Sequence, residues 1–170
     1  QFKKVGDIIR SDESRRYVVA SAPGKRNSAD TKVTDMLYQC YALAAKGGEI
    51  DEAFREIESR FNGIIQELQL DFSLEKEFSS IKNAFIHKAG KDYAASRGEY
   101  LNAKILAEYL GFDFIDAADV ILFGEGGKLD MEGTNTLLAS VLADHPRAVI
   151  PGFYGSMPND TIKTFSRGGS

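Results

Sequence analysis

Short apolar runs alternate with long amphipathic segments along this chain, and this alternation constrains the fold more than any other feature. The runs Tyr17–Ala20, Phe112–Ile115, Ala148–Ile150 and Thr161–Phe165 have the length and composition of strands, and most of them are separated by helical patterns. Strands that are joined through helices align in parallel and are covered on both faces. The sequence therefore predicts an α/β fold, a three-layer α/β/α sandwich around a mainly parallel sheet.

The helical patterns are concentrated between residues 31 and 110. The clearest one repeats apolar side chains at intervals of three and four residues, at Ile50, Phe54, Ile57, Phe61, Ile64, Ile65 and Leu68. Further helices are predicted near residues 2–11, 31–46, 74–85, 92–110 and 130–142. Because residues 31–110 exceed what one crossover needs, part of this stretch is expected to pack as a helical subdomain within a single partial domain, residues 1–170.

Composition limits the class of protein. The chain has 170 residues, a net charge of -4 and one cysteine, Cys40. The negative charge argues against nucleic acid as the main partner. A single cysteine excludes an internal disulfide and fits a reducing compartment such as the cytoplasm. No apolar run approaches the ~18 residues that span a bilayer, so we expect no membrane partner. The two histidines lack metal-ligand spacing, so we predict no metal site.

Three glycine-containing loops follow predicted strands: Ser21–Gly24, Pro151–Gly155 and Ser166–Ser170. Ligands bind at the carboxyl ends of strands in open parallel sheets, and glycine N–H groups together with an arginine suit a phosphate or a carboxylate. The candidates for phosphate binding are Gly24, Gly152, Gly155, Gly168 and Gly169. The alternative is that all three loops are ordinary glycine turns.

The segment Ser96-Arg-Gly-Glu99 has two interpretations. As Ser-x-x-Glu it matches the capping box at a helix start; as a functional motif, Glu99 presents a carboxylate to a cation such as a substrate ammonium. Gly98 costs up to ~1 kcal/mol relative to alanine in a helix, which suggests that another group approaches closely. Thr34 also has two interpretations: helix-start chemistry with Asp30, Thr31 or Thr34 as the cap, or an anion contact at the positive helix end.

Five segments in order resemble the aspartate kinases of the amino-acid kinase family. They are Val18-Val-Ala-Ser-Ala-Pro-Gly24, Val33-Thr-Asp-Met-Leu37, Ser96-Arg-Gly-Glu-Tyr-Leu-Asn-Ala-Lys104, Val149-Ile-Pro-Gly-Phe-Tyr-Gly155 and Thr164-Phe-Ser-Arg-Gly-Gly-Ser170. The combination of Ser-x-Gly-Glu with Arg-Gly-Gly-Ser is the most specific part. The resemblance implies transfer of the γ-phosphoryl group of MgATP to the β-carboxylate of L-aspartate, the reaction that opens lysine, threonine and methionine biosynthesis.

The resemblance also implies residue roles. Glu99 would hold the substrate ammonium and Arg167 the α-carboxylate, while Ser21, Thr34 and Ser170 would supply hydroxyl contacts. Because the attacking group is already an anion, positioning and charge neutralisation are the main tasks. The implied enzyme is cytoplasmic and homo-oligomeric, with L-aspartate and ATP as its small-molecule partners.

The chain also departs from the family pattern. The family's catalytic lysine, in a Lys-Phe-Gly-Gly motif on the first strand, has no counterpart here, and Lys25 lies in a different loop. We expect that strand upstream of Gln1, and the rest of the nucleotide site and the regulatory ACT domains beyond Ser170. The chain is thus predicted to carry no catalytic residue and to be inactive alone. The alternatives are a kinase for another amino acid or a carbamate-like substrate, and a non-catalytic binding or regulatory module.

Overall fold

The computed structural model describes residues 1–166. Its helices, in chain order, are α1 (Phe2–Arg10), α2 (Val33–Ala45), α3 (Asp51–Glu67), α4 (Glu75–Ile86), α5 (Lys91–Leu110), α6 (Ala117–Val120) and α7 (Met131–Ala143). Its strands are β1 (Tyr17–Ala20), β2 (Asp113–Phe114), β3 (Ala148–Pro151), β4 (Tyr154–Ser156) and β5 (Ile162–Thr164). All the helices predicted from periodicity are present, and the short α6 is an addition. Within this range no helix is long and apolar enough to cross a membrane.

β3 is the central strand of a three-stranded parallel sheet, with β1 on one side and β2 on the other. Its side chains alternate between two cores. Val149 packs with Ala103 and Leu106 of α5, whereas Ile150 packs with Val141 of α7. Helices therefore cover both faces of the central strand, and the predicted α/β class with a mainly parallel sheet is confirmed.

A third core lies between α5 and the helices α2 to α4. Phe54 of α3 is fully buried there, and its ring meets those of Phe78 and Phe85 edge-on, with centroids 6.1 and 6.4 Å apart. Cys40 is also fully buried in this core, as its apolar position predicts. α5 belongs to this third core and to the core that contains Val149, because its buried residues face α2 to α4 on one side and the sheet on the other.

The end of α5 has a simple local cause. Gly111 follows the last helical residue and adopts φ = 70°, the left-handed conformation that glycine favours. The N–H group of Phe112 then donates to the carbonyl oxygen of Ala107 at 3.0 Å, which closes the helix end. The chain turns directly into β2, so the long central helix packs back against the sheet.

The expectation that Thr161–Phe165 joins the edge of the parallel sheet is wrong. β5 pairs antiparallel with β4 in a separate two-stranded sheet, which we call the ribbon (Tyr154–Thr164). The reason is connection length: only a short turn separates Ser156 from Ile162, and parallel strands need a crossover of about a dozen residues or more. β4 itself was missed, because Tyr154 and Gly155 were assigned to a glycine loop.

Candidate functional site

Glu99 lies in the interior of α5, next to a close contact with the segment that follows β1. A Cβ atom on Gly98 would lie 3.0 Å from Cβ of Ala22 and 3.5 Å from Cγ1 of Val33. The group that the sequence predicted to approach Gly98 is therefore Ala22. This contact brings the Ser21 segment and the start of α2 to the same part of α5 as Glu99.

The capping-box interpretation of Ser96 and Glu99 is wrong. Ser96 lies inside α5, after the start of the helix at Lys91, so it has no free N-terminal amides to cap. Its hydroxyl instead donates to the carbonyl oxygen of Tyr93 at 2.7 Å and accepts from Nε and Nη2 of Arg97 at 3.0 and 2.9 Å. The glutamate of this motif is thus available for another role.

The carboxyl group of Glu99 is in an unusual electrostatic environment. Burial raises the pKa of Glu99 to about 7, against the opposing effects of the backbone N–H groups of Glu99 and Ala22 and of the charge on Arg97. Its Oε2 atom is buried and has no hydrogen-bond partner among the described residues. A buried carboxylate oxygen without a donor is costly. Glu99 is therefore suited to pair with a cation that enters from solution.

Asn102 lies one helical turn after Glu99, on the same side of α5. Its Nδ2 donates to the backbone oxygen of Ser21 at 2.7 Å. This bond fixes the orientation of the amide, since the nitrogen must face the carbonyl. Its Oδ1 is buried and, within residues 1–166, has no donor. We did not single out Asn102 from the sequence, although its i+3 spacing from Glu99 would have been the signal.

The loop between β1 and α2 is held by Arg60 of α3. Nη2 of Arg60 donates to the carbonyl oxygen of Gly24 at 2.6 Å, and Nη1 lies 3.3 Å from Oδ2 of Asp30. Asp30 also accepts from the backbone N–H, Nε and Nη2 of Arg26, at 2.8, 3.0 and 2.7 Å. The hydrogen bonds from Arg26 and the charges of both arginines hold the pKa of Asp30 well below its usual range.

The prediction that Asp30, Thr31 or Thr34 caps α2 is wrong. The N-cap residue is Lys32, and no side chain caps this end. Asp30 cannot serve because its carboxylate is taken up by the two arginines. Thr34 is the second residue of α2 and is half-buried, next to Val33, which contacts the Gly98 position. Its role as an anion contact stays a prediction.

The two glycines after β3 have packing partners. The N–H group of Gly152 donates to the carbonyl oxygen of Ala20 at 2.8 Å, and a Cβ atom there would lie 3.0 Å from Cγ1 of Val19. A Cβ atom on Gly155 would collide with the backbone oxygen and Cβ of Ile121. Packing accounts for both glycines without a ligand, so their phosphate-binding role stays a prediction.

A buried arginine links α5 to the ribbon. Arg97 is only 5% exposed, and its guanidinium lies over the rings of Tyr93, Tyr100 and Tyr154, at 4.5, 4.5 and 5.2 Å from their centroids. The hydroxyl of Tyr154 donates to Oδ1 of Asp116 at 2.6 Å. Such a desolvated cation over aromatic faces stabilises the contact. The ribbon is thus fixed to the helix that carries Glu99.

Asp92, in the first turn of α5, makes a second connection to the ribbon. Its Oδ2 accepts from the backbone N–H of Thr164 at 3.1 Å and lies 3.7 Å from Nζ of Lys163. The last described residue, Ser166, follows directly. The predicted residues Arg167, Gly168, Gly169 and Ser170 lie outside the described residues.

Metal binding and thiol chemistry find no support in the part of the chain that the structure describes. No group of three or more His, Cys, Asp or Glu side chains in residues 1–166 could hold a metal ion. Burial raises the pKa of the Cys40 thiol to about 11, so the thiolate is not formed near neutral pH.

Comparison with known proteins gives consistent relatives. Aspartokinase 3 of Bacillus subtilis strain 168 is 31% identical over 186 residues, which cover 100% of this chain and 40% of the relative. The crystal structure of aspartate kinase from Clostridium acetobutylicum, described as an allosteric enzyme, superimposes with a TM-score of 0.95 at 47% identity, over 99% of this chain and 39% of that one. No protein-family model matches the sequence.

Two structures of Escherichia coli aspartokinase III share the fold. One, in complex with aspartate and ADP, has a TM-score of 0.66 at 21% identity; the other, with lysine and aspartate, has 0.68 at 24%. Each comparison covers 99% of this chain and 40% or 41% of the longer protein. The chain thus spans about two fifths of the length of the relatives it matches.

Proposed function

This chain belongs to the aspartate kinase family, and on that premise we propose that it forms the amino-acid-binding part of an aspartate kinase. The proposed reaction transfers the γ-phosphoryl group of MgATP to the β-carboxylate of L-aspartate. The observation that carries the proposal is the state of Glu99, whose buried Oε2 has no hydrogen-bond partner within residues 1–166. An ammonium group would supply the missing donor and the missing charge.

In this proposal Glu99 holds the substrate ammonium. An ammonium in contact with Oε2 stabilises the ionised carboxylate, so binding of the substrate lowers the pKa of Glu99 from about 7. Arg167 holds the α-carboxylate, and Ser21, Thr34 and Ser170 supply hydroxyl contacts. Asn102 supports Ser21 through the hydrogen bond to its carbonyl oxygen.

The chemistry needs little from these residues beyond positioning. The β-carboxylate is already an anion, so no general base is required, and the side chains hold it in line while its charge is neutralised. No residue of this chain is assigned a catalytic role. Gly24, Gly152, Gly155, Gly168 and Gly169 are the candidates for backbone contacts to phosphate. MgATP is the proposed co-substrate, and the Escherichia coli relative that was solved with aspartate and ADP supports this choice.

The remaining parts of the proposal concern the whole enzyme. We propose a cytoplasmic homo-oligomer that acts on small molecules and has neither nucleic acid nor a membrane as a partner. The buried Oε2 of Glu99 favours a substrate with a free, charged amino group over one whose nitrogen is acylated or part of a carbamate, because a neutral nitrogen leaves this carboxylate without a counter-charge.

Variants at Glu99 test the proposal. In a polypeptide of the relatives' length that carries this sequence, Glu99→Gln should raise the KM for L-aspartate about tenfold to a hundredfold, since hydrogen bonds to charged groups contribute about 1.5–3 kcal/mol. Glu108→Gln is the matched control, because Glu108 lies on the same helix and is exposed. An unchanged KM in Glu99→Gln would overturn the proposal.

A substrate panel separates the alternatives. L-aspartate, L-glutamate, an N-acylated analogue and carbamate are compared as phosphoryl acceptors, and only L-aspartate should be turned over efficiently. Preference for another acceptor would reassign the enzyme within the same fold. Binding of L-aspartate without turnover in the longer polypeptide would favour the non-catalytic module. The 170-residue chain itself is expected to show no turnover.

A further inference from the structure

The loop that links β1 to α2 is held at both of its ends by one side chain. We call residues Gly24–Asp30 the anchored loop. Arg60 of α3 is 8% exposed, and its Nη2 donates to the oxygen of Gly24 at 2.6 Å while its Nη1 pairs with Asp30 at 3.3 Å. The first and the last residue of the loop therefore meet on a single buried guanidinium.

This arrangement depends on the shape of the guanidinium. Its two terminal nitrogens diverge in a rigid fork, so one arginine can reach a carbonyl oxygen and a carboxylate at the same time. A lysine presents one charged atom on a flexible stem and cannot span the two acceptors in the same way. Arg26 also contacts Asp30, but its side chain is 64% exposed and it belongs to the loop itself. Of these two arginines, Arg60 is the one that ties the loop to the helical core.

The anchored loop continues directly from the segment beside Glu99. On the α5 side, Asn102 holds the oxygen of Ser21 and Ala22 packs against Gly98. On the α3 side, Arg60 holds Gly24. The segment Ser21–Gly24 is thus restrained from two helices, and the entropy of ordering it is lost on folding rather than on ligand binding.

We propose that Arg60 is a positioning residue, which closes the anchored loop and so keeps Ser21–Gly24 in place beside Glu99. The identity of the ligand rests on the proposed function, whereas the restraint of the loop does not. Nε of Arg60 is buried and has no partner within the described range. An apolar side chain would serve packing equally well and would bury no unpaired donor. The two contacts of the fork are therefore the reason for an arginine at this position.

Limited proteolysis of the 170-residue chain tests the restraint. Lys25 and Arg26 are exposed trypsin sites inside the anchored loop. We expect Arg60→Lys and Arg60→Met to accelerate cleavage after these two residues at least tenfold, as measured by mass spectrometry of the fragments. The matched control is Arg55→Met, which removes an exposed arginine from the same helix and should change this rate less than twofold.

The comparison of cleavage sites separates a local effect from a general loss of stability. Circular dichroism confirms folding, and each variant is digested well below its own Tm. Faster cleavage confined to the loop supports the proposal, whereas equal acceleration at all sites, or a wild-type rate in folded variants, overturns it. If Arg60→Met does not fold, Arg60→Lys decides, because it keeps the buried charge and loses only the fork.

Kinetics of the longer polypeptide test the positioning role. Arg60→Lys should raise the KM for the amino acid several-fold with little change in kcat, because the loop then has to be ordered on binding. Faster loop cleavage with an unchanged KM would overturn the positioning role. The proteolysis result does not depend on kinase activity, so failure of this inference and failure of the proposed function can be told apart.

Discussion

Gly98 and Ala22 are so close that a Cβ atom on the glycine would lie 3.0 Å from Cβ of the alanine. Gly98 is inside α5, where glycine is unfavourable by up to ~1 kcal/mol relative to alanine. The contact with Ala22 offsets this cost, because it allows the segment after β1 to pack directly on the helix that carries Glu99.

Substitution Gly98→Ala should destabilise the chain by about 1–3 kcal/mol, because the added methyl group overpacks the contact with Ala22 and Val33. Gly63→Ala is the control: Gly63 lies inside α3 with nothing within 4 Å of the added atom. That change should stabilise the chain by up to ~1 kcal/mol. Urea unfolding measures both, and equal stabilisation by the two substitutions would contradict the tight packing.

The contribution of Glu99 to stability should fall as the pH rises from ~4.5 to ~7. Glu99 has a folded-state pKa of about 7 against an ordinary value of 4.5, so the folded state binds a proton more tightly than the unfolded state. This contribution is complete below pH ~4.5 and is lost between pH ~4.5 and ~7, up to about 3 kcal/mol. Unfolding free energies of the wild type and Glu99→Gln, measured from pH 5 to 8, should diverge as the pH rises, because only the wild type loses stability when Glu99 ionises; a constant difference would contradict the raised pKa.

Replacement of Arg97 by methionine should destabilise the chain by about 2 kcal/mol or more. The guanidinium is buried among three tyrosine rings, and desolvated cation–π contacts have this magnitude. Lys91→Met is the comparison, since Nζ of the exposed Lys91 lies 5.2 Å from the ring centroid of Tyr38 and should contribute only about 0.5–1 kcal/mol. Thermal unfolding distinguishes the two, and similar losses would argue against a special role for burial.

The hydroxyl of Tyr154 is expected to stabilise the ribbon. It donates to Oδ1 of Asp116 at 2.6 Å, and the tyrosine is 1% exposed. Tyr154→Phe should therefore lower the free energy of unfolding by about 1.5–3 kcal/mol, as for a hydrogen bond to a charged group. In Tyr17→Phe, the exposed hydroxyl 3.3 Å from the oxygen of Leu142 is lost, and a change within ~0.5 kcal/mol is expected. An unchanged free energy of unfolding in Tyr154→Phe would contradict the prediction.

Prediction from sequence was most successful where periodicity is regular. The apolar face from Ile50 to Leu68 predicted α3 closely, and the run Ala148–Ile150 predicted the central strand. It failed where a short pattern fits two structures. Ser96 and Glu99 have the spacing of a capping box, but that spacing also occurs inside a helix. Because α5 begins at Lys91, both residues lie inside it and do not cap it. The strand β5 was predicted, but β4 and its antiparallel pairing with β5 were missed, because a three-residue strand carries too little periodicity.

Prediction from sequence was also only partly successful for the residues of the candidate site. The sequence singled out Glu99 and Ser21, and Gly98 as a point of close approach. Arg60 was not singled out as a site residue, because nothing local distinguishes an arginine on a helix that will face a loop. Asn102 was missed as well, although its i+3 spacing from Glu99 was a usable signal.

What this sequence determined by itself was the longer helices, the main strands and the close approach at the glycine beside Glu99, since these follow from the spacing of residues that are neighbours along the chain. Only the tertiary structure decided that Ala22 fills the space at Gly98, that Arg60 pairs with Asp30 and that β5 leaves the parallel sheet. The physical reason is that burial and packing bring together residues far apart in sequence. Those contacts set the pKa of Glu99 and the position of the loop beside it.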